Sequence, residues 1–183
     1  MPLVLTNMLS FLTNVIFGAY IVAVLLRFFL QWVKADFYHP LCQLLIKLTN
    51  PLLLPLRKIV PGWFGVDCAA VVLAVLLQCV EIALLTWLYH YPITGFLVVI
   101  GVIKLLVLIL NLYFFAIILR AIASWFAANS YQPNLVLLQQ FTEPLLRPVR
   151  KILPPISGID LSPLVVLIIL QLISIGLQTW LMP

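Results

Sequence analysis

Residues Thr49 to Asp67 read TNPLLLPLRKIVPGWFGVD, and residues Thr142 to Asp160 read TEPLLRPVRKILPPISGID. Both satisfy T-x-P-L-L-x-P-x-R-K-I-x-P-x-x-x-G-x-D, and the offset of 93 residues needs no gap. The same offset pairs Arg27 with Arg120, Trp32 with Trp125, Tyr38 with Tyr131, Pro40 with Pro133 and Gln78 with Gln171. Self-similarity at one fixed offset marks a duplicated structural unit. Each copy of the motif is the polar punctuation between two long apolar runs. The fold must therefore repeat one run–motif–run unit.

The composition decides the solvent of those runs. The 183 residues are 65% hydrophobic and only 8% charged, against about 25% charged in a soluble domain. Mean hydropathy is +1.24. The chain reads as an integral membrane protein. The net charge of +5 sits on clustered Lys and Arg beside the apolar runs, which is an orientation signal. A nucleic-acid surface would need a soluble basic module, and no nucleic-acid partner is expected. The first apolar run is too long for a signal-peptide core and lacks a basic lead, so no cleavable leader is expected. Cys42, Cys68 and Cys79 lie in apolar sequence without metal or redox spacing and read as small buried side chains.

Four runs are long enough to span, at ~20 residues for a helix. They cover about residues 8–32, 68–89, 96–126 and 161–181. Between them, segments 34–67 and 127–160 cannot span. In the first, Leu41, Leu44, Leu45 and Leu48 fall at i, i+3, i+4 and i+7 and predict a short amphipathic helix in the interface. Pro51, Pro55 and Pro61 then predict its end, with at most one helical turn around Leu56 to Val60. Pro144 and Pro148 predict the same in the second copy. This proline-rich stretch is read as a rigid interfacial connector ahead of a re-entrant loop. The repeats are residues 1–93 and 94–183, each a span, an interfacial segment and a span. Two spans per repeat bring both copies in from the same side, so they are parallel repeats. The fold class is an all-α membrane protein with four transmembrane helices.

Orientation follows from charge. Lys34, Lys47, Arg57 and Lys58 lie in the first segment, and Arg147, Arg150 and Lys151 in the second. The 90–95 turn and both tails hold no Lys or Arg. By the positive-inside rule both segments face the cytoplasm and both termini are periplasmic.

The motif residues are the candidate site. Arg27 and Arg120 lie five residues before Trp32 and Trp125, ~7.5 Å along a helix, so each can snorkel to the interface. The alternative is that each turns inward, to Asp67 or Asp160 or to an anion. Asp67 and Asp160 immediately precede apolar runs and fit helix N-caps. Arg57-Lys58 and Arg150-Lys151 anchor the cytoplasmic face and can meet anionic lipids there. Glu81 and Lys104 sit inside apolar runs, where a lone charge costs ~2.5–3.5 kcal/mol. They are equally far from the turn at Tyr91–Ile93, which predicts an intramembrane ion pair between antiparallel spans, with Gln78 on the face of Glu81. The offset places Ser174 and Phe11 at their counterparts, so the pair reads as a local clamp. His39 and His90 are isolated, and no triad, phosphate loop or metal spacing occurs. The expectation is a non-enzyme with no cofactor, no metal and no catalytic residue.

The repeated motif, with Leu26-Arg27 and Trp32 and with Leu119-Arg120 and Trp125, resembles the YggT family (also YlmG/YggT) in its two-unit bacterial form. The resemblance covers both halves. It implies a multi-pass protein of the bacterial inner membrane with links to osmotic or potassium stress, and no established catalytic residues. The copies depart from each other at Leu54 against Arg147 and at Gly62-Trp63 against Pro155-Ile156. The expected function is osmotic or ion homeostasis, channel-like or modulatory. The alternative is a scaffold or assembly factor for envelope, division or membrane complexes. The expected partners are the lipid bilayer, anionic lipids, and a homo-oligomer or another membrane protein. Four spans with so few polar groups give one chain little material for an aqueous path.

Overall fold

A computed structural model describes residues 3–60, 62, 67–91, 95–126, 133–153 and 160–181. Six helices follow in order: α1 Leu3–Trp32, α2 Pro40–Arg57, α3 Cys68–Leu88, α4 Leu97–Phe126, α5 Pro133–Ile152 and α6 Ser162–Leu181. Helices α1, α3, α4 and α6 are long and apolar enough to cross a membrane. The protein is an all-helical membrane protein of two span–amphipathic helix–span repeats. At 1.5 Å per residue, α1 and α4, with 30 residues each, run about 45 Å, well beyond the ~30 Å hydrocarbon core. The helices are thus longer than a hydrocarbon core of that thickness, and Arg27 and Arg120 lie within the last two turns of α1 and α4.

The helices pack as two compact units, Met1–Trp32 with Pro40–Leu106, and Val33–His39 with Val107–Pro183. The division falls inside α4, not at the repeat boundary between residues 93 and 94. In the first unit α1, α2 and α3 pack on one another. Ala69, Ala70 and Ala74 of α3 are buried, as are Ile21 and Val24 of α1. Small residues let membrane helices approach closely, because lipid supplies no hydrophobic drive between them. The Tyr89 hydroxyl donates to Ser10 Oγ (3.0 Å), so the end of α3 lies beside the start of α1. Gly101 at the start of α4 faces Cys79, whose Sγ would lie 3.2 Å from an added Cβ. In the second unit Tyr113 of α4 stacks on Phe141 of α5 at 4.6 Å, and α5 packs on α6.

The amphipathic helices overturn one expectation. The sequence reading ends the first of them near Leu48, yet α2 continues through Pro51 and Pro55, and α5 through Pro144 and Pro148. Proline removes the bond to the carbonyl four residues earlier. Here the prolines are themselves four apart, so their defects share one face. Lys47, Pro51 and Pro55 are all exposed, as are Gln140, Pro144 and Pro148. The open carbonyls thus belong to residues on the exposed face and not to the core, and the helix survives. The opposite face stays unbroken: Cys42, Thr49 and Leu53 in α2, and Leu137, Phe141, Thr142 and Leu146 in α5, are buried. Pro40 and Pro133 open these helices at the first position, where a missing N–H costs nothing.

Two turns use left-handed backbone without glycine. Lys34 after α1 and His90 after α3 have φ of 54° and 57°. At His90 the bonds Tyr91 N–H to Thr86 O (2.9 Å) and His90 N–H to Trp87 O (3.2 Å) close a Schellman cap. Pro92, expected in this turn, lies outside the described residues, as do Pro61, Tyr131 and Pro154.

Candidate functional site: two arginine clusters

Arg27 sits one and a half turns before the end of α1 and is only 8% exposed. It is not a snorkelling anchor. Its Nη1 donates to Thr49 Oγ1 and to Asn50 Oδ1, the latter at 2.8 Å. Thr49 is fully buried, and its hydroxyl donates on to Leu45 O (2.7 Å) within α2. The hydroxyl thus uses its proton on its own helix and its lone pair on the guanidinium, which fixes both partners. The bond ties the end of α1 to the middle of α2.

The second copy repeats the geometry. Arg120 Nη1 donates to Thr142 Oγ1 (2.8 Å) and to Glu143 Oε2 (3.2 Å). Thr142 is fully buried and donates to Leu138 O (2.8 Å). Inward-turned arginines are among the sequence expectations, with Asp67 or Asp160 or an anion as partners. The actual acceptors are the motif's own Thr and the residue after it.

The aspartates serve the second motif arginine instead. Arg57 Nη2 donates to Asp67 Oδ2, which joins the end of α2 to the start of α3. Asp67 stands at the N-cap of α3, but its side chain makes no capping bond, because the carboxylate is committed to Arg57. In the second copy Arg150 Nε donates to Asp160 Oδ2 (2.8 Å), while Asp160 Oδ1 accepts the Ser162 N–H (3.0 Å). So Asp160, one residue before the N-cap position of α6, accepts a backbone N–H at the helix start, and the Asp67 side chain makes no such bond to α3. Burial pushes the Asp160 carboxyl upward, but hydrogen bonds from Ser162 and the charge of Arg150 hold it below the ordinary carboxylate range. Arg150 also donates to both oxygens of Glu143 (3.1 and 3.2 Å). Glu143 therefore bridges Arg120 and Arg150.

The neighbouring cations behave differently from the arginines. Lys58 and Lys151 are exposed beside their committed arginines, and Arg147 is exposed on α5. Trp32 is 54% exposed at the end of α1, as an interfacial Trp should be. Trp125 ends its repeat's α4 in the same register, and its side chain lies outside the described residues. Pro51, Pro55, Pro144 and Pro148 occupy the outer helix faces described above and touch none of the arginine clusters through a hydrogen bond of their own.

Inside the span region, Lys104 Nζ lies 3.4 Å from Glu81 Oε1. Gln78 Nε2 donates to the other oxygen, Oε2, at 2.6 Å. The Glu81 side chain is 6% exposed and that of Lys104 36%. The carboxylate is thus buried and fully engaged, and the ammonium keeps one side open.

Sequence reasoning missed Thr49, Thr142 and Glu143 as partners. The signal was present in the intervals. Arg27 to Thr49 and Arg120 to Thr142 are both 22 residues apart, and Arg57 to Asp67 and Arg150 to Asp160 both 10. Chemically, such clusters clamp the spans to the amphipathic helices and gather cationic hydrogen-bond donors there. Among the described residues no group of His, Cys, Asp or Glu is arranged to hold a metal ion.

Comparison with known proteins agrees with this duplicated architecture. A family model described as CCB3/YggT matches residues 6–88 and again residues 99–181. The uncharacterized protein PA0392 of Pseudomonas aeruginosa is 45% identical over 158 residues, which are 85% of this chain and 80% of that protein. The uncharacterized protein YggT of Escherichia coli K12 is 34% identical over 173 residues, 93% of this chain and 89% of its own. The uncharacterized protein ycf19 of Guillardia theta is 37% identical over 76 residues, 38% of this chain but 84% of that protein, about one repeat's worth. No solved structure matches. Two matches in tandem, each enclosing one arginine cluster and its two flanking spans, place the chain in the CCB3/YggT family.

Proposed function

We propose that this is a non-enzymatic, multi-pass protein of the bacterial inner membrane that acts in osmotic or ion homeostasis, potassium included, as a modulator and not as a one-chain pore. The observation that carries the reading is how the charges within the spans are used. Arg27, Arg120 and the Glu81–Lys104 pair each join one helix to another through side-chain hydrogen bonds. A conducting path needs polar groups along one continuous cavity, and the cavity in the first unit is lined by Ile16, Phe17, Tyr20, Ala23, Leu48 and Leu77 among others. Conduction would then require an oligomer. The osmotic assignment draws on the family resemblance. Both motif segments face the cytoplasm and both termini the periplasm, by the asymmetry of Lys and Arg.

A scaffold or assembly role is the second reading. What favours it is the outer surface of α2, where Leu41, Leu44, Leu48, Leu52 and Leu54 are exposed beside the open proline face. Ion flux in proteoliposomes, set beside crosslinking in native membranes, separates the two. A deletion strain should grow poorly under osmotic or potassium stress. A strain indifferent to both, with silent proteoliposomes and a specific crosslinked partner, would replace the homeostasis reading by the scaffold. Cysteine labelling should reach positions near Lys58 and Lys151 from the cytoplasm and near Pro92 from the periplasm. Labelling near Pro92 from the cytoplasm alone would overturn the orientation.

A further inference from the structure

We propose that the first repeat, and only the first, holds a phosphate-type oxyanion at Arg27, Asn50 and Arg57. The reason is a difference between two otherwise matching clusters. In the second repeat Glu143 lies between Arg120 and Arg150 and bonds both. That cluster has two guanidinium groups and two carboxylates, Glu143 and Asp160, and is neutral. In the first repeat the offset puts Asn50 where Glu143 stands. Asn50 accepts from Arg27 in the same way, at 2.8 Å, but brings no charge. The first cluster has two guanidinium groups and one carboxylate, Asp67, and carries a net positive charge.

That charge is poorly solvated. Arg27 is more than nine-tenths buried, and its hydrogen-bond acceptors Thr49 and Asn50 are both neutral. It lies within electrostatic reach of Arg57 as well as Asp67. A buried charge needs a counter-charge, which the second repeat builds in and the first must take from outside. A planar guanidinium selects an oxyanion, because its forked donors match carboxylate and phosphate geometry. The Arg57 side chain is 36% exposed and Lys58 beside it is exposed, so the site opens where α2 meets its surroundings. At that depth the abundant oxyanion is a lipid phosphate. The adjoining groove favours the lipid further. It encloses about 500 Å³ between α1, α2 and α3. Its walls include Ala23, one turn from Arg27, and Leu48 and Leu52, which flank Thr49 and Asn50. An acyl chain in this groove would place its headgroup beside the cluster. The inference uses the interfacial position of α2 and is independent of any role in ion balance.

The test is made on the full chain purified in detergent, by native mass spectrometry and thermal unfolding. The probes are phosphatidylglycerol, phosphatidylcholine and inorganic phosphate against chloride at equal ionic strength. The native protein should retain one phosphatidylglycerol per chain and bind phosphatidylcholine at least about tenfold more weakly. Asn50→Glu should lose that lipid by at least about tenfold, since it installs the missing carboxylate. Glu143→Asn should gain a second bound lipid. Stabilisation of the native chain by inorganic phosphate, absent in Asn50→Glu, would identify a free oxyanion as the source, and stabilisation by phosphatidylglycerol alone a headgroup. No binding of phosphatidylglycerol together with no stabilisation by inorganic phosphate, a response to either that is the same in native protein and Asn50→Glu, or phosphatidylcholine retained as tightly as a bound phosphatidylglycerol would overturn the proposal. If Asn50→Glu does not fold, Glu143→Asn decides, and an unchanged stoichiometry refutes the site.

Discussion

Lys104→Met should destabilise the protein more than Glu81→Gln, and the two changes together should cost less than their sum. The geometry sets both expectations. At 3.4 Å and an effective dielectric of 20, the gross attraction of the pair is ~5 kcal/mol. Desolvation removes much of this, and Lys104, with 36% of its side chain exposed, is partly screened. A net coupling of about 1–1.5 kcal/mol remains, near the upper end of polar couplings measured between membrane helices. The singles differ because of what each leaves behind. Without Lys104 the Glu81 carboxylate, 6% exposed, keeps only the amide of Gln78. Without the Glu81 charge, Lys104 can move its ammonium toward its exposed side. Equilibrium unfolding of all four proteins in one detergent gives the cycle directly. A coupling within ~0.3 kcal/mol of zero would refute the clamp, since independent sites add to that accuracy.

Thr49→Val should cost about 1–2 kcal/mol, by removing one of Arg27's two acceptors, and Thr142→Val less, because Arg120 retains the Glu143 carboxylate. Parallel melts in detergent check the order, and equal costs would mean the acceptors are interchangeable. His90→Gly should stabilise by about 1 kcal/mol, because the cap after α3 holds φ at 57° in a residue with a Cβ. A loss of stability on that change would mean the imidazole makes a contact worth more than the strain. Asp160 contributes a pH-dependent part of stability. Its folded pKa lies below the unfolded one, so the contribution is full above the ordinary carboxylate range and is lost as pH falls through the lowered value. The melting-temperature gap between the native chain and Asp160→Asn should therefore narrow on acidification toward pH 3. A constant gap would detach Asp160 from Arg150 in solution.

The spans and the duplication were legible because each rests on a property that local sequence carries. Apolar length alone separates Cys68–Leu88 from the segments beside it, and a gapless offset needs no structure to be seen. The helices through Pro51 and Pro55 were not legible, because the rule against internal proline assumes that the freed carbonyl is buried. Four-residue spacing puts both freed carbonyls on a face that water or headgroups can reach, which is a tertiary and not a local fact. The caps at Lys34 and His90 were hidden for a related reason. Neither residue is the glycine that a left-handed position usually takes, so the chain's geometry, and not residue preference, fixes the turn.

The site shows what a repeat can and cannot reveal. Reading each copy for residue types identified Arg27, Arg57 and Asp67 but left their pairing open, because two arginines compete for one aspartate and composition does not say which wins. The structure resolves the competition by distance along the chain. Asp67 lies ten residues from Arg57, across the connection between α2 and α3, whereas Arg27 meets α2 at its middle, beside Thr49. Once that pairing is known, position 50 becomes the informative one. Arg27, Thr49, Arg57 and Asp67 recur as Arg120, Thr142, Arg150 and Asp160, so the change from Asn50 to Glu143 alters the charge and adds the bonds to Arg150. Either residue accepts from the first arginine, and Glu143 also bridges to the second. The difference in charge accompanies that difference in bonding, and it is where the two halves of the protein can differ in what they bind.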